Sequence, residues 1–226
     1  MSITTQLNHI HTRIIDAESK WGRKPGSVKL IAVSKKQPVD KIRTAIAAGQ
    51  RAFGENYAQE ALDKIAALKD EDVEWHFIGP IQSNKTRLLA AHFAWVHSVC
   101  RLDIAQRLND QRPSSLAPLN ICLQINTSGE ASKSGVSVDE AHDLAHAIVS
   151  LPHLKLRGLM TIPAPCDDFD EQRRPYHQLQ DLFLSLHQQG ILIDTLSMGM
   201  TNDFEAAIAE GATMIRVGTA VFGERE

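Results

Sequence analysis

Short apolar runs alternate with helical stretches along almost the whole chain, and this alternation constrains the fold more than any other feature. The runs are Val28 to Ser34, Arg51 to Glu55, Glu74 to Gly79, Trp95 to Ser98, Leu119 to Asn126, Leu154 to Thr161, Asp194 to Met198 and Met214 to Gly218. Leu119 to Asn126 reads as the longest strand. Helices are predicted between them, over 38–48, 57–68, 84–92, 103–109, 139–150, 171–189 and 203–210. Pro38 opens the first and Gly49 stops it; Gly211 closes the last. Strands separated by helices are joined by crossovers and pair in parallel. Eight such units in 226 residues fit one closed (β/α)8 barrel, a single domain over 1–226. A doubly wound sheet is the alternative, but no G-x-G-x-x-G turn follows the first strand. A helix over 3–20, with Ile3, Leu7, Ile10, Ile14 and Ile15 near helical spacing, precedes the repeat and lies outside it.

Composition narrows the function classes. The formal net charge of −3 and the lack of a long basic run give no footprint for nucleic acid. Cys100, Cys122 and Cys166 are widely spaced and odd in number, which suits a reducing compartment rather than a disulfide framework. The N-terminus lacks the pattern of a signal peptide, and no apolar run approaches the roughly 20 residues of a membrane span. A soluble, cytoplasmic, monomeric protein is expected, with no membrane and no nucleic-acid partner.

In a barrel, chemistry gathers at the C-terminal ends of the strands. The first run delivers Ser34 and then Lys35 to the point where regular structure stops. Its stem can lie along apolar neighbours while its ammonium seeks water. One reading is a solvated strand end; the other is a carbonyl-capturing lysine. The later strand ends favour the second. They offer Glu55 and Asn56, then Gln82, Asn84 and Lys85, then Asn126 and Thr127, and lastly Ser197 to Thr201 and Arg216 to Thr219. Loops after the seventh and eighth strands are the usual phosphate cradle of a barrel. Gly199 and Gly218 allow close backbone approach, and Ser197, Thr201 and Thr219 can donate to phosphate oxygens. A lysine facing a phosphate cradle suits pyridoxal 5′-phosphate (PLP), whose aldehyde it would hold as a Schiff base. Arg216 beside the pyridine nitrogen would keep that nitrogen unprotonated, because a guanidinium is a permanent donor.

Several motifs stand in one order: Ala32-Val33-Ser34-Lys35, Phe53-Gly54-Glu55-Asn56-Tyr57, His76-Phe77-Ile78-Gly79-Pro80-Ile81-Gln82-Ser83-Asn84-Lys85, Ser132-Lys133-Ser134-Gly135, Arg157-Gly158-Leu159-Met160, Leu196-Ser197-Met198-Gly199-Met200 and Arg216-Val217-Gly218-Thr219. In these the chain resembles the pyridoxal phosphate homeostasis proteins. The resemblance implies a TIM barrel of the alanine-racemase N-terminal type (PLP fold type III). It implies Lys35 as the Schiff-base residue, Asn56 near the ring or its lysine, Arg216 at the pyridine nitrogen, and Ser197, Gly218 and Thr219 at the phosphate. It also implies a carrier that balances vitamin B6 and amino-acid pools, with PLP-dependent apoenzymes as recipients. Many relatives carry a second lysine two positions beyond the first; here Gln37 stands there. Lys36, Lys85 and Lys133 are then the candidates for a secondary cofactor lysine.

Three function classes remain open: a PLP carrier, a weak amino-acid racemase, and a sugar-phosphate enzyme whose lysine captures a substrate carbonyl. Racemases use a base on each face of the substrate, the second a tyrosine of an additional domain. This chain has only Tyr57 and Tyr176, and its last barrel unit runs to the end of the sequence. The carrier is the expectation. His76 and His97 are expected inside the barrel, bonded to neighbours. The spacing of His142 and His146 reads as a surface coincidence rather than a metal pair.

Overall fold

The computed structural model describes residues 1–128 and 134–223. Lys133 lies outside the described residues. Eight strands close in sequence order into a parallel barrel: β1 (Lys29–Val33), β2 (Ala52–Glu55), β3 (Glu74–Phe77), β4 (Trp95–Val99), β5 (Leu119–Gln124), β6 (Leu154–Met160), β7 (Thr195–Ser197) and β8 (Met214–Val217). The (β/α)8 expectation therefore holds. The closing pair is β1 with β8, in which Ile31 sits opposite Arg216.

The helices α1 (Ile3–Lys20), α2 (Val39–Ala47), α3 (Ala58–Ala67), α4 (Thr86–His92), α5 (Leu102–Gln111), α6 (Val138–Val149), α7 (Phe169–Gln188), α8 (Phe204–Ala209) and α9 (Thr219–Phe222) surround the barrel. Among the described residues, the helix that follows β8 is the four-residue α9. α1 packs against α2, α8 and α9, covering the barrel beside the short α9. Its buried face includes Leu7, Ile10 and Ile14, as the spacing implied, together with Ala17; Ile3 is half-buried and Ile15 is exposed. Glu18 of the same helix is buried and accepts the N–H groups of Gly26 and Val28 at 2.9 Å, tying α1 to the entrance of β1. Among the described residues no helix is long and apolar enough to cross a membrane.

Two details differ from the sequence reading. β6, not β5, is the longest strand. Beyond Gln124 the ladder gives way to an isolated bridge from Ile125 to Val136, so the apolar run outlasts the sheet. The segment after β3 begins as a 3-10 turn, Ser83–Lys85, before α4.

Apolar side chains divide into an outer shell between strands and helices and a small inner cluster. Ile31, Ala52, Trp95, Cys122, Met160 and Met214 form the inner cluster. Burial there pushes the Cys122 thiol up to about 12, so it stays protonated and unreactive. Barrel interiors are normally filled by branched apolar side chains. Here His76, His97, Ser197 and Arg216 are also buried.

Candidate functional site

The site is built on the end of β1. Ser34 continues the ladder through its N–H to the Gly54 carbonyl at 2.9 Å, and Lys35 follows as the chain leaves the sheet. The turn is then closed by the Gln37 N–H on the Ser34 carbonyl at 3.0 Å. Lys36 adopts a left-handed backbone with φ of 59°. Such a conformation is costly away from glycine and needs support. The support is the Glu60 carboxylate, which accepts the Lys36 N–H at 2.5 Å.

Glu60, itself half-buried, is the outer member of an ionic girdle whose inner members are buried. The Lys64 ammonium donates to Glu60 at 2.6 Å, to Glu55 at 2.8 Å and to the Ser34 carbonyl at 2.7 Å. The Ser34 hydroxyl donates to Glu55 at 2.6 Å. Residues on both sides of Lys35 are thus tied to α3. Burial pushes the Glu55 carboxyl above its ordinary value, while Lys64 and Ser34 pull it back. Lys64 carried no sequence signal of this role. A Glu60–Lys64 pair at i, i+4 reads like any surface pair on a helix.

Lys35 lines a cavity of about 180 Å³ at the C-terminal mouth of the barrel. Asn56, Arg216, Gly218 and Thr219 share its wall, and Thr201 and Met200 close it from the loop after β7. Val33, Ile78 and Ile162 supply the apolar surface. The sequence expectation therefore finds five of its seven residues around one space, with Thr201 added. Asn56, which lines both this cavity and the neighbouring space beside Lys85, has its Oδ1 buried without a hydrogen-bond partner. Gly79 lies against the Asn56 main chain so closely that any Cβ would overlap it, which explains a glycine beside that residue.

Ser197 and Gly199 are placed behind the wall. Ser197 is fully buried and its Oγ accepts the Arg216 Nη1–H at 2.8 Å. The Thr161 carbonyl accepts Nη2–H at 2.9 Å, and both bonds aim the guanidinium. Burial lowers the Arg216 pKa, yet a guanidinium in two charge-assisted bonds remains protonated. Gly199 has φ of 94°, and a Cβ there would stand 2.6 Å from the Ala207 Cβ. Gly199→Ala is therefore expected to cost about 3 kcal/mol, from the left-handed backbone plus overpacking. Urea unfolding should show this as a lower midpoint with an unchanged slope.

His76 and His97 are inside the barrel and bonded to each other at 2.9 Å, as expected. Burial lowers the pKa of both. In the unfolded chain each imidazole takes a proton below its ordinary 6.5, whereas the folded chain keeps it neutral to lower pH. Stability should thus be intact above 6.5 and fall below it, by about 1.4 kcal/mol per pH unit for each imidazole. Unfolding free energies of the wild type and His97→Gln across this range would measure the slope. His142 and His146 both contact Gln189 Oε1 at 3.1 Å on the surface.

Lys36 is exposed, with its ammonium 6.0 Å from the centre of the Tyr57 ring. Lys85 borders a separate space with Asn56, Tyr57 and Gln82. Tyr57 is exposed and Tyr176 is fully buried on α7, so neither forms part of the Lys35 wall.

The family model for the alanine racemase N-terminal domain matches residues 8–226. The pyridoxal phosphate homeostasis protein of Vibrio alginolyticus is 54% identical over 229 residues, covering 100% of this chain and 98% of that protein. Its counterpart in Escherichia coli K12 is 51% identical and is covered to 97%. The chain belongs to the pyridoxal phosphate homeostasis protein family. A solved structure of similar architecture is that of PipY of Synechococcus elongatus with PLP bound, at 38% identity and a TM-score of 0.84 over 98% of this chain and all of that one. Alanine racemase of Clostridium difficile shares the fold at a TM-score of 0.78, with 14% identity and 56% of that chain covered. Within the pyridoxal phosphate homeostasis family, the Lys35 cavity is thus the place to test for cofactor chemistry.

Proposed function

We propose that this chain binds one PLP in the cavity between Lys35 and Arg216 and serves as a carrier that maintains PLP supply. The donor set fits the group. The wall presents an amine, a permanent cation, two hydroxyls and Asn56, whose Oδ1 is buried without a partner. That orphaned oxygen is the observation that carries the reading, because a buried acceptor without a partner is costly unless a ligand supplies one. PLP, when bound, supplies an aldehyde for an amine and a pyridine ring for carbanion chemistry. Lys35 would bond the aldehyde carbon as an imine, with loss of one water. Thr201 and Thr219 would donate to the phosphate, beside the Gly218 main chain. Asn56 would meet the ring side, and Arg216 would donate to the pyridine nitrogen. Ser197 and Gly199 act indirectly, the first by orienting Arg216 and the second by letting the β7 loop approach α8.

The carrier reading also rests on what faces Lys35. The titratable side chains of the wall are Lys35 and Arg216. A permanent guanidinium is a poor proton acceptor, so a second base for racemisation would have to come from elsewhere. We further propose a cytoplasmic monomer that passes PLP to apoenzymes. Equilibrium dialysis with PLP should give one tight site per chain. Amino acids incubated with the loaded protein in deuterated water should keep their α-hydrogen. No PLP uptake would refute the binding, and rapid Lys35-dependent exchange would refute the carrier.

A further inference from the structure

The buried polar groups of the barrel interior form one continuous chain from its N-terminal end to the cavity. Lys29 donates to Glu74 Oε1 at 2.8 Å. The same oxygen lies 2.8 Å from His76 Nε2. His76 Nδ1 lies 2.9 Å from His97 Nε2, and His97 Nδ1 lies 2.8 Å from Ser197 Oγ. Ser197 Oγ in turn accepts from Arg216. His76, His97 and Ser197 are completely buried, and the Trp95 ring stacks on His76 at 5.6 Å.

Partner chemistry sets the direction of every link. Glu74, between the Lys29 ammonium and His76, is held down to about 2 and is a carboxylate that only accepts. His76 therefore carries its proton on Nε2. Burial keeps His76 neutral, so its Nδ1 accepts from His97 Nε2–H. His97, also neutral, has only Nδ1 left, and that atom accepts the Ser197 hydroxyl proton. Ser197 then offers its lone pair to Arg216 and has no second proton to give. Other ionisable groups near the chain are Cys122, Asp203 and Tyr176 around Arg216, and Arg157 over the Trp95 ring.

We propose that Glu74, His76, His97 and Ser197 are positioning residues that act as one polarised chain, fixing Arg216 against the cavity from the opposite end of the barrel. This rests on the PLP reading above for its consequence, but not for its geometry. The carboxylate end is partly exposed, beside Lys29, His11 and Arg51, and so can be altered without opening the core.

The test uses Glu74→Gln, Ser197→Ala and the double variant of the full chain. In the wild type, nitrogen-15 spectra of the imidazoles should show His76 and His97 neutral with the proton on Nε2. Glu74→Gln, which can both donate and accept, should add a second tautomer at His97. It should also weaken PLP binding about five- to tenfold, roughly the net worth of one ordinary hydrogen bond. In the Ser197→Ala background the same change should alter PLP binding less than twofold, because the link to Arg216 is cut. His97 protonated on Nδ1 in the wild type would overturn the proposal. So would an unchanged PLP affinity in Glu74→Gln, or an equal effect with and without Ser197. A wild type that takes up no PLP would refute the function reading alone, since the imidazole spectra still decide the chain.

Discussion

Lys35→Ala is expected to leave the barrel folded and to abolish the visible absorbance that the wild type gains with PLP. The side chain reaches from the end of β1 into the cavity, beyond the last ladder bond at Ser34. Removing it takes no packing from the inner cluster, so the unfolding midpoint should move little. The covalent link to the aldehyde has no substitute in the wall, because the other cation there, Arg216, is not a nucleophile at neutral pH. Residual PLP would be held only through Thr201, Thr219, Asn56 and Arg216, and should dialyse away. An unchanged absorption band in Lys35→Ala would show that the aldehyde is bound elsewhere.

Lys64→Met is expected to cost about 3–5 kcal/mol, the usual penalty for stranding a buried charge. Lys64 is 4% exposed and Glu55 is fully buried, and one ammonium answers two carboxylates and a carbonyl. Without it Glu55 must be protonated. Burial already raises the folded-state Glu55 value and Lys64 no longer pulls it back, so the stability of the variant should be best at acid pH and lost as pH rises above the ordinary carboxylate range. Adding Glu55→Gln should recover part of the loss, whereas an isolated surface pair would show no such coupling. The turn at Lys35 should loosen in step, because Glu60 and Ser34 lose their common partner. Unfolding curves of the single and double variants at two pH values would separate these terms.

The repeat of eight units was legible because buried parallel strands are near-continuous apolar runs, punctuated by proline and glycine where helices begin and end. Boundaries drifted where apolarity and pairing part company. Ile125 is buried like a strand residue, yet it lies past the end of the ladder. Closure of the barrel was enough to bring Lys35, Asn56, Arg216, Gly218 and Thr219 together, since strand ends converge at one mouth. It was not enough to place Ser197. Its side chain points inward beside Arg216 rather than to the mouth, and a three-residue strand gives no alternation from which to read that. The ionic girdle was invisible for a different reason. Whether Lys64 meets water or a neighbouring strand end is decided by the packing of α3, not by its spacing from Glu60.

Among all the lysines of the chain, Lys35 is the one proposed to bond PLP. Borohydride reduction of the protein after incubation with one equivalent of PLP, followed by peptide mass mapping, tests it directly. One reduced adduct is expected, on the peptide carrying Lys35. Adducts on surface lysines such as Lys36 or Lys85, with Lys35 unmodified, would contradict it.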